Sequence, residues 1–381
     1  MIDILHIITS LDSGGAEQAL YNLLKATDGS HFRQHVIGLR GMGAIGRQVG
    51  DLGIPVQALN MSPGVPKPGA VKKLARQVEQ IEPALVQTWM YHADLLGAYA
   101  CRSGSKPRLV WGIHHADLSL RNNKFSTLAV AKLDALLSHR LPDRIITPSR
   151  IALEAHVRFG YDRGRMVHIP NGFDLSRFKP DNGARESLRA ELGLAGDIRL
   201  VCMAARYHPL KDHGNFIRAA ALLSAKMPQA HFILCGRDVN WENHALADMI
   251  RSAGLAERFH LLGVRQDMPR IFNGLDVGTL TSLSEAFPSV VGEMMACGLP
   301  CAVTDAGDAA EIIGDAGLVT AVGDSPALAA AWERLLRLNA PQRNELGNAA
   351  RQRVVTHYGI DRMADRYRAL YEELLDRSNA P

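Results

Sequence analysis

The 381-residue sequence contains no run of roughly 18 apolar residues, the length a spanning helix requires. Any membrane contact is therefore expected to be peripheral. A basic leader segment is also missing. Met1-Ile2-Asp3-Ile4-Leu5-His6-Ile7-Ile8 carries Asp3 among apolar residues and reads as a first strand, not as a signal peptide. Cysteine is scarce: Cys101, Cys202, Cys235, Cys297 and Cys301 are odd in number, sit among apolar neighbours and form no Cys-x-x-Cys pair. That pattern excludes a disulfide framework and a zinc cluster, and predicts buried thiols in a reducing compartment. Charge of one sign is in short supply too. A net charge of +4 with a pI near 8.8 is too little to argue for nucleic acid, though it is compatible with attraction to an anionic membrane. Repeats of solenoid length and low-complexity segments are absent.

What is present is an ordinary globular composition, 47% apolar and 22% charged, in a chain long enough for two cores. Short apolar runs alternate with glycine-containing loops and amphipathic segments. Strands are expected at 2–8, 35–39, 56–59, 85–88, 109–113, 144–148, 198–204, 230–235, 259–262, 277–280 and 301–304. Helices are expected at 16–25, 70–81, 122–141, 215–226, 325–338, 341–357 and 361–375. Strand, loop and helix in this order imply parallel sheets with helices on both faces. The 122–141 segment carries Lys124, Lys132 and Arg140 on an otherwise apolar helix. It could rest on a membrane, but packing through its apolar face is the preferred reading.

The chemistry concentrates in a few loops. Ser284-Glu285-Ala286-Phe287-Pro288-Ser289-Val290-Val291-Gly292-Glu293 reads as a loop entering a short helix, with Pro288 at or before its first turn and Gly298 and Pro300 ending it. Glu285 precedes the helix and Glu293 lies on it. Between them, free amides at a positive helix N-terminus suit an anion such as phosphate. An acid on each side suits hydroxyls at both ends of a diphosphate, as in a nucleotide-sugar. The loop from Ala205 to His213 offers Arg206 and Lys211, cations able to stabilise a departing diphosphate. Ser10 to Glu17 places Gly14 and Gly15 between a strand and a helix, where backbone can approach a phosphate. His114 and His115 follow a strand, at the end where ligands bind in open α/β sheets.

The Glu285–Glu293 stretch resembles the E-x7-E region of the retaining glycosyltransferases of family 4, with Ala286 standing where the family usually has glycine. The likeness extends over nearly the whole chain. Pro170-Asn171-Gly172-Phe173-Asp174, continued by Phe178-Lys179-Pro180, is similar to the family's hinge, where Asn-Gly is expected to supply a positive φ. The resemblance implies the GT-B fold: two Rossmann-like, doubly wound parallel-sheet domains facing across a cleft. The expected parts are an acceptor-side domain over 1–175, a donor domain over 176–358, and a C-terminal helix over 359–381 crossing back. It further implies that Glu285 holds the transferred sugar and Glu293 the ribose. The amides of Ser289, Val290 and Val291 would meet the phosphates together with Arg206 and Lys211. Gly236 would form a turn beside the nucleotide, and the backbone of Val264 and Arg265 would read the base. Gly15 would line the cleft near the donor, while Gly14 and either His114 or His115, with His114 favoured by alignment, would face the acceptor. His114 is expected to polarise the reacting region.

The expected activity is retaining transfer of a sugar from a UDP- or GDP-linked donor to an acceptor hydroxyl, in cell-surface polysaccharide or glycolipid synthesis. No Asp-x-Asp motif lies in a suitable loop, so no metal or other cofactor is expected. The expected partners are the nucleotide-sugar, a saccharide or lipid-linked acceptor and, peripherally, an anionic membrane at the inner face of the cell membrane. Two rivals remain. A nucleotide-sugar epimerase of the same fold would isomerise donor without acceptor, and a non-catalytic binding subunit would hold donor without turnover.

Overall fold

The computed structural model describes residues 1–12, 14–27, 29, 31–62, 68–102, 106–120 and 123–376. Ser13 of the glycine loop, much of the 61–69 loop and Asn122 at the start of the expected fifth-strand helix fall outside the described residues. The chain divides into two compact units, Met1–Gly172 with the chain from Ile360 onward, and Phe173–Gly359.

The first unit holds a seven-stranded sheet of β1 (Ile2–Ile8), β2 (Phe32–Gly38), β3 (Val56–Ala58), β4 (Leu85–Trp89), β5 (Arg108–Gly112), β6 (Arg144–Thr147) and β7 (Met166–His168). Their spatial order is β3-β2-β1-β4-β5-β6-β7, with every pairing parallel. The second holds β8 (Arg199–Ala204), β9 (Ala230–Cys235), β10 (Phe259–Leu261), β11 (Val277–Leu280), β12 (Cys301–Thr304) and β13 (Gly317–Thr320). Their order is β10-β9-β8-β11-β12-β13, again all parallel. Central strands such as β4 and β11 are buried along their whole length, because helices cover both faces of a parallel sheet. Strand order reverses between β1 and β4 in one sheet and between β8 and β11 in the other. In open α/β sheets, ligand crevices form at such switch points.

Each sheet is packed on both faces. In the first unit Trp89 and Val110 lie in one core with Tyr367 and Tyr371 of the last helix, Ile360–Asp376, while Trp111 and Ile145 lie in the other. In the second, Phe216, Phe232 and Trp332 fill one side and Met294, Cys301 and Ile312 the other. All five cysteines are buried and free.

Several elements escaped the sequence reading. β7 and β13 are short and only partly buried, so they lack the continuous apolar signal of an inner strand. The Tyr91–Ala100 helix follows β4 after Met90 alone, which takes the linking conformation itself at φ 75° and ψ 152°, without a glycine or proline to mark the turn. Helices at Gly43–Asp51, Arg150–Phe159, Ala184–Leu192, His244–Ser252 and Met268–Gly274 were not anticipated either. The expected positive φ at Asn171-Gly172 is not adopted by either residue. Just after it, in the second unit, the Asp174 carboxylate accepts from the amides of Ser176 (3.0 Å) and Arg177 (3.2 Å).

The expectation that the 122–141 helix packs through its apolar face holds for Leu128, Ala131 and Ala135, while a second set of apolar residues faces outward and an acid is buried with the first. The helix, Phe125–Leu137, turns Phe125 (78% exposed), Leu133 and Leu136 to solvent, and buries Asp134 with Leu128, Ala131 and Ala135. Apolar residues occur around more than one face of this segment, so composition could not say which face turns inward. Asp134 lies near Asp94 of the Tyr91–Ala100 helix, and both are fully buried. Asp94 accepts a hydrogen bond from the Thr88 hydroxyl through Oδ1, but its Oδ2, both Asp134 oxygens and the Tyr161 hydroxyl have no protein partner among the described residues.

Burial raises the pKa of both acids, and the charge of Asp94 raises that of Asp134 further. An acid whose folded pKa exceeds its unfolded value binds extra protons in the folded state. Its stabilising contribution is therefore complete below the ordinary carboxylate pKa and is lost as pH climbs through the raised one. Thermal melts should accordingly show stability falling from about pH 4 to about pH 9, and Asp134→Asn should flatten that slope by about 1.4 kcal/mol per pH unit. Parallel slopes for the two proteins would contradict the assignment.

Candidate active site

The switch point of the second sheet gathers most of the predicted residues. β8 runs into the Ala205–Asp212 loop, and β11 runs into the segment 281–288. The two are stitched together by main chain and side chain. The Leu283 amide donates to the Leu210 carbonyl at 2.8 Å, and the Thr281 hydroxyl donates to the Lys211 carbonyl at 2.8 Å. This seating brings the Lys211 ammonium onto Glu285 Oε1 in a direct ion pair. The Ser282 hydroxyl, fully buried, donates to the same oxygen at 2.6 Å. Glu285 Oε1 is thus engaged by two donors.

Arg206 is exposed. The charges of Arg206 and Lys211 both act on His208, between them in the loop, and lower its pKa after burial has done so. Gly236 sits at φ 147°, and a Cβ there would come within 2.2 Å of the Ala205 carbonyl and 2.8 Å of the Arg206 amide. Only glycine permits the β9 turn to lie against the strand-end loop that presents Arg206.

The helix after Glu285 spans Ser289–Ala296, with Pro288 at its N-cap and no side-chain cap. Val291 differs from expectation: its amide donates to the Pro288 carbonyl at 3.0 Å, which leaves the amides of Ser289 and Val290 for an anion. Glu293 is half-buried on this helix and has no hydrogen-bond or ion-pair partner among the described residues. Burial pushes its carboxyl up to about 7, opposed by the charge of Arg177.

Val264 is exposed, and Arg265 is tied by its guanidinium to Asp267 (2.8 Å) and Glu191 (2.6 Å). These bonds raise the Arg265 pKa, with Asp267 the larger cause, and leave the backbone as the part of Arg265 open to a ligand.

In the first unit His114 follows β5. It is not a surface histidine: both ring nitrogens are buried without a partner among the described residues, and the ring stacks on Trp89 at 5.0 Å between centroids. Desolvation lowers its pKa to about 4, so the imidazole is neutral at physiological pH, with one donor and one acceptor nitrogen. His115 Nε2 instead meets Asn123 Oδ1 at 3.0 Å. Gly15 begins the Gly15–Ala26 helix with open space where a Cβ would stand, while a Cβ on Gly14 would meet the flexible end of Glu17 at 2.3 Å.

The sequence reading missed Ser282 and Thr281. Buried hydroxyls beside a strand end look like ordinary core polar groups, and nothing in their spacing signals that they hold an acid and a cation.

Comparison with known proteins gives the same direction. The family described as "Glycosyltransferase Family 4" matches residues 13–177, and "Glycosyl transferases group 1" matches residues 184–353. The UDP-Gal:alpha-D-GlcNAc-diphosphoundecaprenol alpha-1,3-galactosyltransferase of Escherichia coli is 28% identical over 224 residues, covering 58% of this chain and 57% of that protein. The D-inositol 3-phosphate glycosyltransferase of Mycobacterium marinum is 29% identical over 221 residues, covering 56% and 46%. The chain thus spans less than two thirds of the length of either relative. The crystal structure of Anabaena Alr3699/HepE in complex with UDP and glucose superposes with a TM-score of 0.85 at 24% identity, over 98% of this chain and 100% of that one, a likeness of fold. With both parts of the chain matched and both sheets arranged as found, the protein belongs to the family 4, group 1 glycosyltransferases and has the GT-B fold.

Proposed function

We propose that this glycosyltransferase takes its sugar from a UDP- or GDP-linked donor and passes it to an acceptor hydroxyl with retention of configuration, without a metal or other cofactor. The observation that carries the reading is the Lys211–Glu285 pair with Ser282, beside the free amides of Ser289 and Val290. As the bond to the sugar breaks, negative charge grows on the diphosphate. Arg206, Lys211 and the two amides are fixed positive groups that stabilise it. Lys211 and Ser282 occupy Glu285 Oε1 and leave Oε2 to accept from sugar hydroxyls. Glu293 is assigned to the ribose, and the Val264 and Arg265 backbone to the base. In retaining transfer of this kind the acceptor attacks from the face the diphosphate leaves, and a leaving phosphate oxygen takes the acceptor proton. His114, a neutral ring with two unused nitrogens, is the residue of the first unit proposed to contact the acceptor hydroxyl. The E. coli relative acts on a lipid-linked diphosphate acceptor, and the Anabaena structure holds UDP and glucose. Both favour a uridine donor and a role in cell-surface polysaccharide or glycolipid synthesis. Isothermal titration with a panel of nucleotide-sugars tests the donor. Donor incubated alone tests for isomerisation, the activity of an epimerase.

An anionic membrane is the proposed peripheral partner. Among the described residues no helix is long and apolar enough to cross a bilayer. The outward face of Phe125–Leu137, with Phe125, Leu133 and Leu136 and with exposed Lys124 and Arg140 at its ends, matches an interfacial helix.

Lys211→Ala should lower kcat by about 10²–10³-fold, the cost of one lost charge-stabilising donor. Ser282→Ala should lower it by about tenfold through a displaced carboxylate, with UDP affinity unchanged. Steady-state kinetics with a UDP titration decide both. Equal kcat in Lys211→Ala and the parent enzyme would remove the cation from the mechanism.

Glu293 binds ribose hydroxyls best as a carboxylate. Donor affinity should therefore rise as pH passes upward through about 7, and the dependence should flatten in Glu293→Gln. A pH-independent Kd in the parent protein would contradict the ribose assignment.

Flotation with vesicles rich in anionic lipid should recover the protein, with about tenfold less bound for the pair Phe125→Glu, Leu136→Glu. Equal recovery of both proteins would exclude this face.

A further inference from the structure

Away from the Lys211–Glu285 pair, the second unit has a cavity of about 560 Å³, walled on one side by Asp181, Asn182 and Arg185 and on another by Arg343, Asn344 and Asn348. We propose that it is a binding site for a small phosphorylated metabolite, distinct from the proposed donor site. The case begins with a charge imbalance. Asp276 is fully buried, and its carboxylate already accepts from Arg185 (3.0 Å), Arg189 (3.3 Å) and Arg199 (3.3 Å), and from the Leu200 amide (3.0 Å). One negative charge thus serves three guanidinium groups.

Arg343 is the fourth. It feels the attraction of Asp276 and the repulsion of Arg199 and Arg185, but it has no ion-pair partner among the described residues. Its Nη2 donates to the Leu338 carbonyl at 2.8 Å, and its Nε is buried with no acceptor. A guanidinium with no carboxylate partner keeps its outer donors available to an incoming anion. Asp181 is the one acid in the cavity wall, and its Oδ1 accepts from the Gly183 amide at 3.0 Å.

Arg185 and Arg343 therefore present forked donors to one space, and phosphate oxygens match such forks better than a lone carboxylate does. Exposed Asn344 and Asn348 add neutral amides suited to sugar hydroxyls or further phosphate oxygens. The volume falls within the range of small-molecule sites, which fits a sugar phosphate and not an extended polyanion. Cys297, Gly298, Leu299 and Pro300 form another wall, and they close the helix that carries Glu293. An occupant of the cavity would touch the end of that helix.

Isothermal titration of inorganic pyrophosphate and of a hexose monophosphate tests the site in the full chain carrying Arg206→Ala and Lys211→Ala, which silence the proposed donor cations. One remaining site is expected, weakened about tenfold or more by Arg343→Gln. Asn348→Glu, an exposed change that adds a negative charge without disturbing the buried arginines, should weaken it as far, and decides the matter alone if Arg343→Gln fails to fold. Absence of binding to the double variant, or binding unchanged by Asn348→Glu, would overturn the site.

Discussion

The arrangement of the second unit depends on one join: the continuation of β11 lying against the loop that follows β8. The strands are neighbours because strand order reverses there, and both chains emerge at the same sheet edge. Leu283 and Thr281 bond to the carbonyls of Leu210 and Lys211, so the loop carrying the cation cannot move independently of the segment carrying the acid. Thr304 extends the join to the next strand by donating to the Ser282 carbonyl at 2.8 Å. Placement of the ion pair thus rests on the buried hydroxyls of Thr281, Ser282 and Thr304 behind it, a division of labour common at sites whose chemistry requires fixed geometry.

Glu285 and Glu293 show how environment separates two identical side chains. Glu285 is paired with the Lys211 ammonium and the Ser282 hydroxyl. Glu293 has no side-chain partner among the described residues, and the charge of Arg177 only partly offsets its burial. Pairs of acids whose surroundings differ in this way take different roles at one site. Here the paired acid suits a ligand that must be held in one orientation through bond breaking. The desolvated acid suits hydroxyls whose bonds replace the water it lacks.

Much of this was legible in the sequence. Short apolar runs located β1, β8, β9, β11 and β12, since inner strands of a parallel sheet need apolar residues on both faces. The placement of Arg206, Lys211 and Glu285 in loops after strands, and of Glu293 on a short helix, was legible from the strand–loop–helix rhythm. Two of the edge strands, β7 and β13, were not legible, because they are short and only partly buried and so lack the apolar run that marked β3 and β10. Nor was the inward face of Phe125–Leu137, where apolar residues on both sides of the helix leave the orientation to tertiary packing. The expected positive φ at Asn171-Gly172 is not used, and the turn that follows in the chain is held by the Asp174 side chain.

Met90 bears on how the first unit prepares its own site. A non-glycine residue at φ 75° and ψ 152° is strained, and such strain persists only where surrounding bonds impose it. Here the Met90 amide donates to the Gly112 carbonyl at 2.7 Å, and its carbonyl accepts from Ala93 (2.9 Å) and Asp94 (3.0 Å). The helix therefore starts immediately after β4, with no loop to absorb a change. Trp89, one residue back, is held by a bond from its indole nitrogen to His6 Nδ1 at 3.2 Å and lies flat against His114. A longer, relaxed connection would let Trp89 turn and His114 follow it. The strained turn and the stacked ring together account for an imidazole that stays neutral and fixed while both its nitrogens remain unbonded to protein, the condition a residue needs if its hydrogen bonds are reserved for a ligand.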